Sequence, residues 1–467
     1  MPRYRRRPIR ETTQARRHHS LSVHEVERHL RLLGWSDFHL LCALVSGARF
    51  RRANLLNRRR YRVLTILNFF LYHDYSAADL RLLYEVDPRD NNPTDSPTPI
   101  AMATFATCPI TWAEFGWRRA EIMELYTTLE FPHIVHSREG EGNTRILSGE
   151  YVFLSVLFHL RGTNVTGVHL SRKLGGDSRR FSGALKFGYG FLAKIARGLE
   201  RPAALEIWAS DFPDFAARIK KYVNEKAGGE IFGDNFSNMG WGDGCIHECM
   251  TPSGPTIVMM RNGYQGLDDF ARAVYSGYFK GFGMKHLSFT LPNGMIAICQ
   301  PFQSARHTDV GSWNRSGVHQ AMEVICQRDY NGRKYYFFGD KIFRDVIQWN
   351  HFRSYWQTDY VPPAHLLAAH SQMVRENRAM SAARLCIEHT FGSLKECFPS
   401  IACWRNFSLM VAGGMRSMAD KILVAALFYN CRAIMRGNDT TKLFNYTQAE
   451  LPSLHDYIAM LRSVPDP

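Results

Sequence analysis

The chain has 467 residues, enough for two or three domains, and its 45% apolar and 13% aromatic content is typical of globular proteins. No apolar run reaches the roughly 18 residues of a membrane span, and the first residues are too polar for a secretory signal, so we expect neither a membrane protein nor a secreted one. The ten cysteines form no Cys-x-x-Cys pair, which favours reduced thiols in the cytosol or nucleus.

The net charge of +15 is concentrated near the N-terminus. Residues 1–60 contain 15 arginines, no lysine and four acidic residues, so they contribute +11 of that charge. Arginine clusters suit phosphate contacts or nuclear import, and we assign one of these roles to Arg5, Arg6 and Arg7. The alternative is a solvated tail that only aids solubility. The charge distribution favours nucleic acid as a partner and the nucleus as the location.

Residues 86–98 are rich in Pro, Asp and Asn, which predicts a linker or a long surface loop after an N-terminal helical piece. A helix is predicted to begin after Ser148, a good N-cap residue, because apolar residues recur at helical spacing from 152 to 160. Gly162 should end this helix.

A second short helix is predicted to begin at Thr166, and a third to follow the turn at 175–177. This order resembles a helix-turn-helix unit, in which the later helix would present Arg179, Arg180 and Lys186 to DNA. An ordinary three-helix packing unit with a solvated basic surface explains the pattern equally well.

Beyond about residue 231 the pattern changes to short strands. Strands are predicted at "NMGWGDGCIHE", at "GPTIVMMRN", on both sides of the Asn-Gly turn at 292–294, and at Tyr335–Phe338. Helices are predicted in "GSWNRSGVHQAMEVICQ", from near Met380 after an irregular region, and in "MADKILVAALFYNCRAIM". This mixed order predicts an α/β domain.

Two aspartates, Asp243 and Asp340, each follow a glycine on a predicted strand, and Glu388 lies on the late helix. Arg384 and Lys395 share a helical face with Glu388. If the three acids converge, their repulsion requires a cation, and oxygen ligands select Mg²⁺ or Mn²⁺. Two such ions could promote in-line phosphodiester cleavage.

Each acid also has a structural explanation, as a turn residue or as an ion-pair partner. Asp309 competes with Asp340 for the second position and is retained as an auxiliary ligand or a turn residue. A third alternative is a zinc site at Cys245, His247, Glu248 and Cys249, although no second cluster with ligand spacing completes it.

Several segments between about residues 236 and 435 resemble the PIF/Harbinger transposases. These segments are "WGDGCIHE", "VYSGYFKGFGMKH", "QSARHTDVGSW", "FFGDKIF", "ARLCIEHTFGSLKECFP" and "AALFYNC". The fifth is the most specific, because the family's Arg, Glu, Phe, Gly, Leu, Lys and Phe are matched by Arg384, Glu388, Phe391, Gly392, Leu394, Lys395 and Phe398.

The resemblance implies a ribonuclease H-like DDE nuclease domain in which Asp243, Asp340 and Glu388 bind two Mg²⁺ or Mn²⁺ ions and catalyse. It also implies a transposase acting on terminal inverted repeats, with a short A/T-rich target and a Myb-like DNA-binding partner. We further expect a homo-oligomer and no membrane contact.

The sequence departs from the family pattern at Lys341, Ile342, Cys245 and His247. We predict phosphate contacts for Lys285, Arg384 and Lys395, while Arg384 could instead only orient Glu388. A domesticated, non-catalytic DNA-binding or adaptor protein and a nuclease of unrelated biological role stay as alternatives.

The predicted organisation has four parts. These are a basic segment at 1–60, a helical region at 61–205 with the helix-turn-helix-like unit near 146–200, the nuclease domain at 206–440, and a C-terminal tail at 441–467.

Overall fold

The computed structural model describes residues 115–136, 147–162, 178–248, 275–276, 281–304, 307–346, 351–402 and 414–465. Apart from Gly414, these residues belong to one compact unit, made from 91–253, 269–408 and 415–467. The predicted basic segment, the linker, the helix from Thr166 and the strand "GPTIVMMRN" lie outside the described residues. The division into four parts stays a prediction.

The helices and strands are listed here in chain order. The α-helices are α1 (Arg119–Thr128), α2 (Gly149–Arg161), α3 (Ser178–Ala196), α4 (Phe212–Ala227), α5 (Asp309–Arg315), α6 (Val318–Asp329), α7 (Leu367–Cys397), α8 (Gly414–Arg436), α9 (Asp439–Leu443) and α10 (Leu454–Ser463). The strands are β1 (Val135–His136), β2 (Leu147–Ser148), β3 (Asn238–Glu248), β4 (Tyr275–Ser276), β5 (Gly281–Thr290), β6 (Ile296–Ser304), β7 (Tyr336–Phe338) and β8 (Phe352–Arg353). Short 3₁₀ segments lie at Phe131–His133, Arg197–Glu200, Pro202–Asp211, Lys341–Val346, Ala364–Leu366, Pro399–Ile401 and Gln448–Glu450.

A mixed sheet forms the centre of the described unit. Its strand order is β4-β5-β3-β7-β8, with β6 paired to the free side of β5. The predicted hairpin is confirmed, because β5 and β6 are antiparallel and Gly294 in the turn has a φ of +79°. β7 pairs with β3 in the parallel direction, as expected for the first and fourth strands of a ribonuclease H-like sheet.

One face of this sheet is covered by α4 and α7. Trp241 of β3 and Phe338 of β7 lie opposite each other in the parallel register, and both join the hydrophobic cluster that these helices form. α7 contributes Ala383 and Ile387, both with no solvent exposure. The core thus fixes which face of β3 and β7 lies beneath α7.

The prediction that the late helix starts near Met380 was wrong, because α7 begins at Leu367. Residues 367–378 are mostly exposed and have no continuous apolar stripe, which explains why hydrophobic periodicity missed them. This segment is held by polar contacts: Gln372 donates to the carbonyl of Ile231, and Asn377 accepts from the backbone N–H of Trp356.

The predicted helix after Ser148 is confirmed as α2. The Ser148 hydroxyl accepts a hydrogen bond from the backbone N–H of Tyr151, and the helix ends at Gly162. α2 packs closely on α3, because a Cβ added at Gly188 would lie 2.5 Å from a methyl of Val156. The predicted helix between α2 and α3 lies outside the described residues, so the helix-turn-helix unit stays a prediction.

The glycines that precede Asp243 and Asp340 are required by close packing on the other face of the sheet. A Cβ added at Gly242 would lie 2.7 Å from the Phe289 ring and 2.8 Å from the Phe352 ring. A Cβ added at Gly339 would lie 2.3 Å from that same Phe352 ring. Both glycines therefore provide space for an aromatic layer, while the next residue projects to the opposite face.

None of the described helices combines the length and apolar character that crossing a membrane requires.

We expect Gly339→Ala to lower the free energy of unfolding by about 1 to 3 kcal/mol, because the new methyl overlaps the rings of Phe352 and Phe343. Gly392→Ala is the matched control, since a Cβ on this α7 glycine meets nothing within 4 Å. This control should stabilise the protein by about 0.5 to 1 kcal/mol through helix propensity. Urea denaturation of both variants measures the difference, and equal effects would contradict the packing argument.

Candidate active site

Asp243 lies within β3, and Asp340 lies just beyond the end of β7, the strand that runs parallel to β3. Trp241 and Phe338 are paired in register, and each aspartate lies two residues further along its strand direction. Because side chains alternate between faces, both carboxylates belong to the face that α7 covers. Each also accepts a hydrogen bond from the following backbone N–H, at 2.8 Å for Asp243 and 2.6 Å for Asp340.

Glu388 is connected to Asp243 through Arg384. One guanidinium nitrogen of Arg384 lies 3.1 Å from Asp243 Oδ2, and the other lies 2.5 Å from Glu388 Oε1. The second contact joins residues one helical turn apart on α7, as the spacing predicted. Asp243 and Glu388 therefore both lie within reach of a single cationic group, and the three predicted acids belong to one region above the sheet.

The Asp243 carboxyl has an unusual environment. Burial raises its pKa to about 6, and the negative charges of Asp309 and Asp340 act in the same direction. The backbone N–H of Gly244 and the charge of Arg384 oppose this rise. Burial therefore dominates the environment of the Asp243 carboxyl, and Arg384 and the Gly244 N–H offset it only in part.

Asp309 approaches β3 from the opposite face. A Cβ added at Gly244 would lie 2.2 Å from Asp309 Oδ1, so the glycine leaves room for this carboxylate. Asp309 is the first residue of α5, and it pairs with the buried ammonium of Lys285 at 2.8 Å. Its role as an auxiliary metal ligand stays a prediction.

The residues proposed to contact DNA have different surroundings. Lys285 is buried and paired with Asp309, whereas Lys395 donates to the carbonyl of Ile246 on β3 at 3.2 Å. Lys186 is exposed on α3, and the backbone of this helix also includes Arg179 and Arg180. Phosphate contact by these residues stays a prediction.

The donor set fits a divalent metal ion with hard-ligand preference. Carboxylate oxygens are what Mg²⁺ and Mn²⁺ bind, and the negative charges of Asp309 and Asp340, which add to the effect of burial on the pKa of Asp243, are ones that a cation would offset. Asp243, Asp340 and Glu388 would hold such an ion. Asp243 stands on the paired strand β3, Asp340 directly follows the paired strand β7, and Glu388 stands on a 31-residue helix.

A different grouping was missed in the sequence. His286 of β5 lies beside His247 and Cys245 of β3, and the ligand atoms of these three residues lie within 4.8 Å of one another. The sequence suggested a zinc site near His247 but offered no partner from elsewhere. His286 joins this group because its strand pairs with β3 in the antiparallel direction, a pairing that the structure reveals.

Residues 268–429 match the family model described as DDE superfamily endonuclease. The matched segment contains Asp309, Asp340 and Glu388, and it begins after Asp243. The match supports the superfamily, a ribonuclease H-like fold, nuclease or transposase function in general, and the use of divalent metal ions. It does not extend to the PIF/Harbinger subtype. No curated protein and no solved structure is significantly similar to the chain.

We expect the metal-free protein to lose about 2 kcal/mol of stability between pH 4 and pH 7 through Asp243 alone. The pKa of this carboxyl is raised to about 6 in the folded state, so the folded protein holds the proton more tightly than the unfolded chain. The stabilisation is present at low pH and is lost as the pH rises through 4 to 6.

Asp243→Asn cannot ionise at this position, so its free energy of unfolding relative to wild type should rise by that amount over the same range. Urea denaturation in the presence of a chelator measures the difference at each pH. Asp359→Asn is the control, since 70% of the Asp359 side chain is exposed. A difference between Asp243→Asn and wild type that stays constant with pH would contradict the raised pKa.

Proposed function

We propose that this protein is a DNA transposase of the PIF/Harbinger type, which cuts and joins DNA strands at transposon ends with divalent metal ions. The observation that carries the proposal is that Asp243 and Asp340 each follow the paired residues Trp241 and Phe338 of two parallel strands by two positions, with Glu388 linked to Asp243 through one guanidinium. The superfamily match supports the nuclease chemistry. The segments that resemble the PIF/Harbinger family support the subtype.

The residues of the proposed site have different roles. Asp243 and Asp340 would hold metal ions from the sheet, and Glu388 would complete the ligand set from α7. Two Mg²⁺ or Mn²⁺ ions, when bound, activate the attacking water or 3′-hydroxyl and stabilise the leaving oxygen. Strand pairing and helix packing keep the carboxylates in place, so little reorganisation is needed at the moment of reaction.

Arg384 has two roles in the proposed site. Its guanidinium is paired with Asp243 and Glu388, so it orients both carboxylates. A guanidinium can also bind a phosphate in a bidentate manner, and Arg384 would contact a DNA phosphate next to the carboxylates.

The remaining DNA contacts are proposed for positively charged residues elsewhere in the chain. Arg5, Arg6 and Arg7 would bind phosphates or direct the chain to the nucleus, and Lys186 on α3 is exposed for groove or phosphate contact. The substrate would be terminal inverted repeats with a short A/T-rich target. A Myb-like protein and further copies of this chain would be partners in pairing the two ends.

One observation favours the alternative of a non-catalytic DNA-binding protein. Arg384 forms ion pairs with both Asp243 and Glu388, and such ion-pair networks also occur where carboxylates have only a structural role. A domesticated protein could retain this network for its structural value alone. Nuclease measurements distinguish this alternative from the transposase.

We expect Mg²⁺- or Mn²⁺-dependent nicking of DNA that carries the cognate ends, and loss of nicking by at least about a thousandfold in Asp340→Asn, because a metal ligand loses its charge. DNA affinity of this variant should stay near that of wild type. The control is Asp359→Asn, which removes an equal charge from an exposed position.

Gel assays of nicking and fluorescence measurements of binding, with the partner protein supplied, provide the two readouts. Equal cutting by wild type and Asp340→Asn would show that a contaminant or another site acts. Binding without cutting by wild type, with either metal ion, would establish the non-catalytic alternative.

We expect the N-terminal arginines to contribute to the salt dependence of DNA affinity. Each phosphate contact contributes about 0.9 to the slope of log K against log salt, so replacing Arg5, Arg6 and Arg7 by glutamine should lower its magnitude by about 2 to 3. Replacing Lys220, Lys221 and Lys226 of α4 by glutamine removes the same charge and is the control. Equal slopes for both triple variants would indicate a net-charge effect instead of local contacts.

A further inference from the structure

Beyond Asp243, the same face of β3 contains a second set of metal-ligand side chains. Cys245 and His247 follow Asp243 at alternate positions, and His286 lies opposite Cys245 in the antiparallel register with β5. All three side chains are buried, and one ligand atom from each lies within 4.8 Å of the other two. Two strands of the central sheet thus bring a thiol and two imidazoles to one point.

Hydrogen bonds determine where the protons of the two imidazoles are. His247 Nδ1 lies 2.9 Å from the carbonyl oxygen of Ile401, which can only accept, so Nδ1 carries the proton. Burial lowers the pKa of His247 to about 3 and that of His286 well below its ordinary value, so both rings are neutral. His247 Nε2 is therefore a lone pair, and it faces His286 Nδ1 at 2.9 Å.

His286 has a polar atom without a partner. Its Nε2 is buried and makes no hydrogen bond to the described residues. With the proton on Nδ1, the ring donates to His247, and Nε2 keeps an unused lone pair inside the core. Such a buried polar atom costs about 1 to 3 kcal/mol. The other tautomer places the proton on Nε2 and directs two imidazole lone pairs, from His247 and His286, into the same gap.

The thiol of Cys245 completes the set. Its sulfur lies within hydrogen-bonding reach of the Lys395 ammonium, a cation that stabilises a metal-bound thiolate. Lys395 is fixed beside it, because its ammonium also donates to the carbonyl of Ile246. A thiolate with two neutral imidazoles is a donor set that prefers zinc over the Mg²⁺ or Mn²⁺ expected at the carboxylates.

We propose that Cys245, His247 and His286 form a zinc site that links β3 to β5 two residues from Asp243. Zinc binding releases the Cys245 thiol proton to solvent and moves the His286 proton from Nδ1 to Nε2. His247 keeps its Nδ1–H bond to Ile401, the outer contact that orients a metal-binding imidazole. Three protein ligands leave the fourth position of a tetrahedral ion for water.

The site would be separate from the carboxylate centre, and its three protein ligands would connect neighbouring strands. It joins β3, β5 and, through Ile401, the 3₁₀ segment that follows α7. These elements surround the strand that carries Asp243, so the ion would hold that strand in register. The proposal does not depend on DNA cleavage, because it rests on different side chains with different metal preference.

The test uses the full chain, stripped of metal by a chelator and titrated with Zn²⁺ or Co²⁺ in excess Mg²⁺, which occupies oxygen-ligand sites. We expect one zinc ion per chain, a higher thermal unfolding midpoint with zinc, and a cobalt spectrum with a thiolate-to-metal band and tetrahedral d–d bands. Cys245→Ala should lose the thiolate band and weaken zinc binding by about 100-fold or more.

Two variants serve as controls. Cys431→Ala removes another buried free thiol, on α8, and should bind zinc as wild type does. Asp340→Asn removes a carboxylate of the other centre and should also leave zinc binding unchanged. The proposal is overturned if wild type binds no stoichiometric zinc, or if its cobalt spectrum lacks the thiolate band. A wild-type spectrum without this band overturns the proposal even if Cys245→Ala fails to fold.

Discussion

The parallel pairing of β3 with β7 is the constraint on which the site depends. Trp241 faces Phe338 across the two strands, and their burial under α7 makes this register energetically necessary. The same register places Asp243 beside Asp340, since both follow the paired residues by two positions. A shift of this register by one residue would move Asp340 to the aromatic face and separate the two acids. The same strand register therefore determines both the packing of the core and the assembly of the site.

The two faces of these strands have opposite chemical requirements. Beneath α7, Trp241 of β3 and Phe338 of β7 are apolar, and Asp243 and Asp340 follow them by two residues. On the other face, Gly242 and Gly339 both pack against Phe352, where the structure has no space for a Cβ. The repeated Gly-Asp pair thus results from strand alternation, with close aromatic packing on one side and a charged group on the other.

The charges near Asp243 form two separate ion-pair systems. Arg384 connects Asp243 with Glu388 on one face, and Lys285 neutralises Asp309 on the other. Burial nevertheless raises the pKa of Asp243, which shows that these partners do not fully compensate for desolvation. A buried carboxylate held in this way reduces stability, and such a cost is common at functional sites.

Local patterns in the sequence determined the helix after Ser148, the Asn-Gly hairpin, the strand that ends at Gly339-Asp340, and the shared helical face of Arg384 and Glu388. Each depends on residues a few positions apart, whose spacing and capping chemistry are visible in one dimension. The start of α7 at Leu367 was not visible, because polar contacts to distant segments hold its first turns.

Only the tertiary structure decided which distant residues meet. It brought Arg384 to Asp243 as well as to Glu388, and it placed Asp309 beside Gly244 on the opposite face. It also placed His286 next to His247, although 38 residues separate them in the chain. The physical reason is that strand register and helix placement follow from how the whole core packs, and local periodicity carries no information about which strands become neighbours.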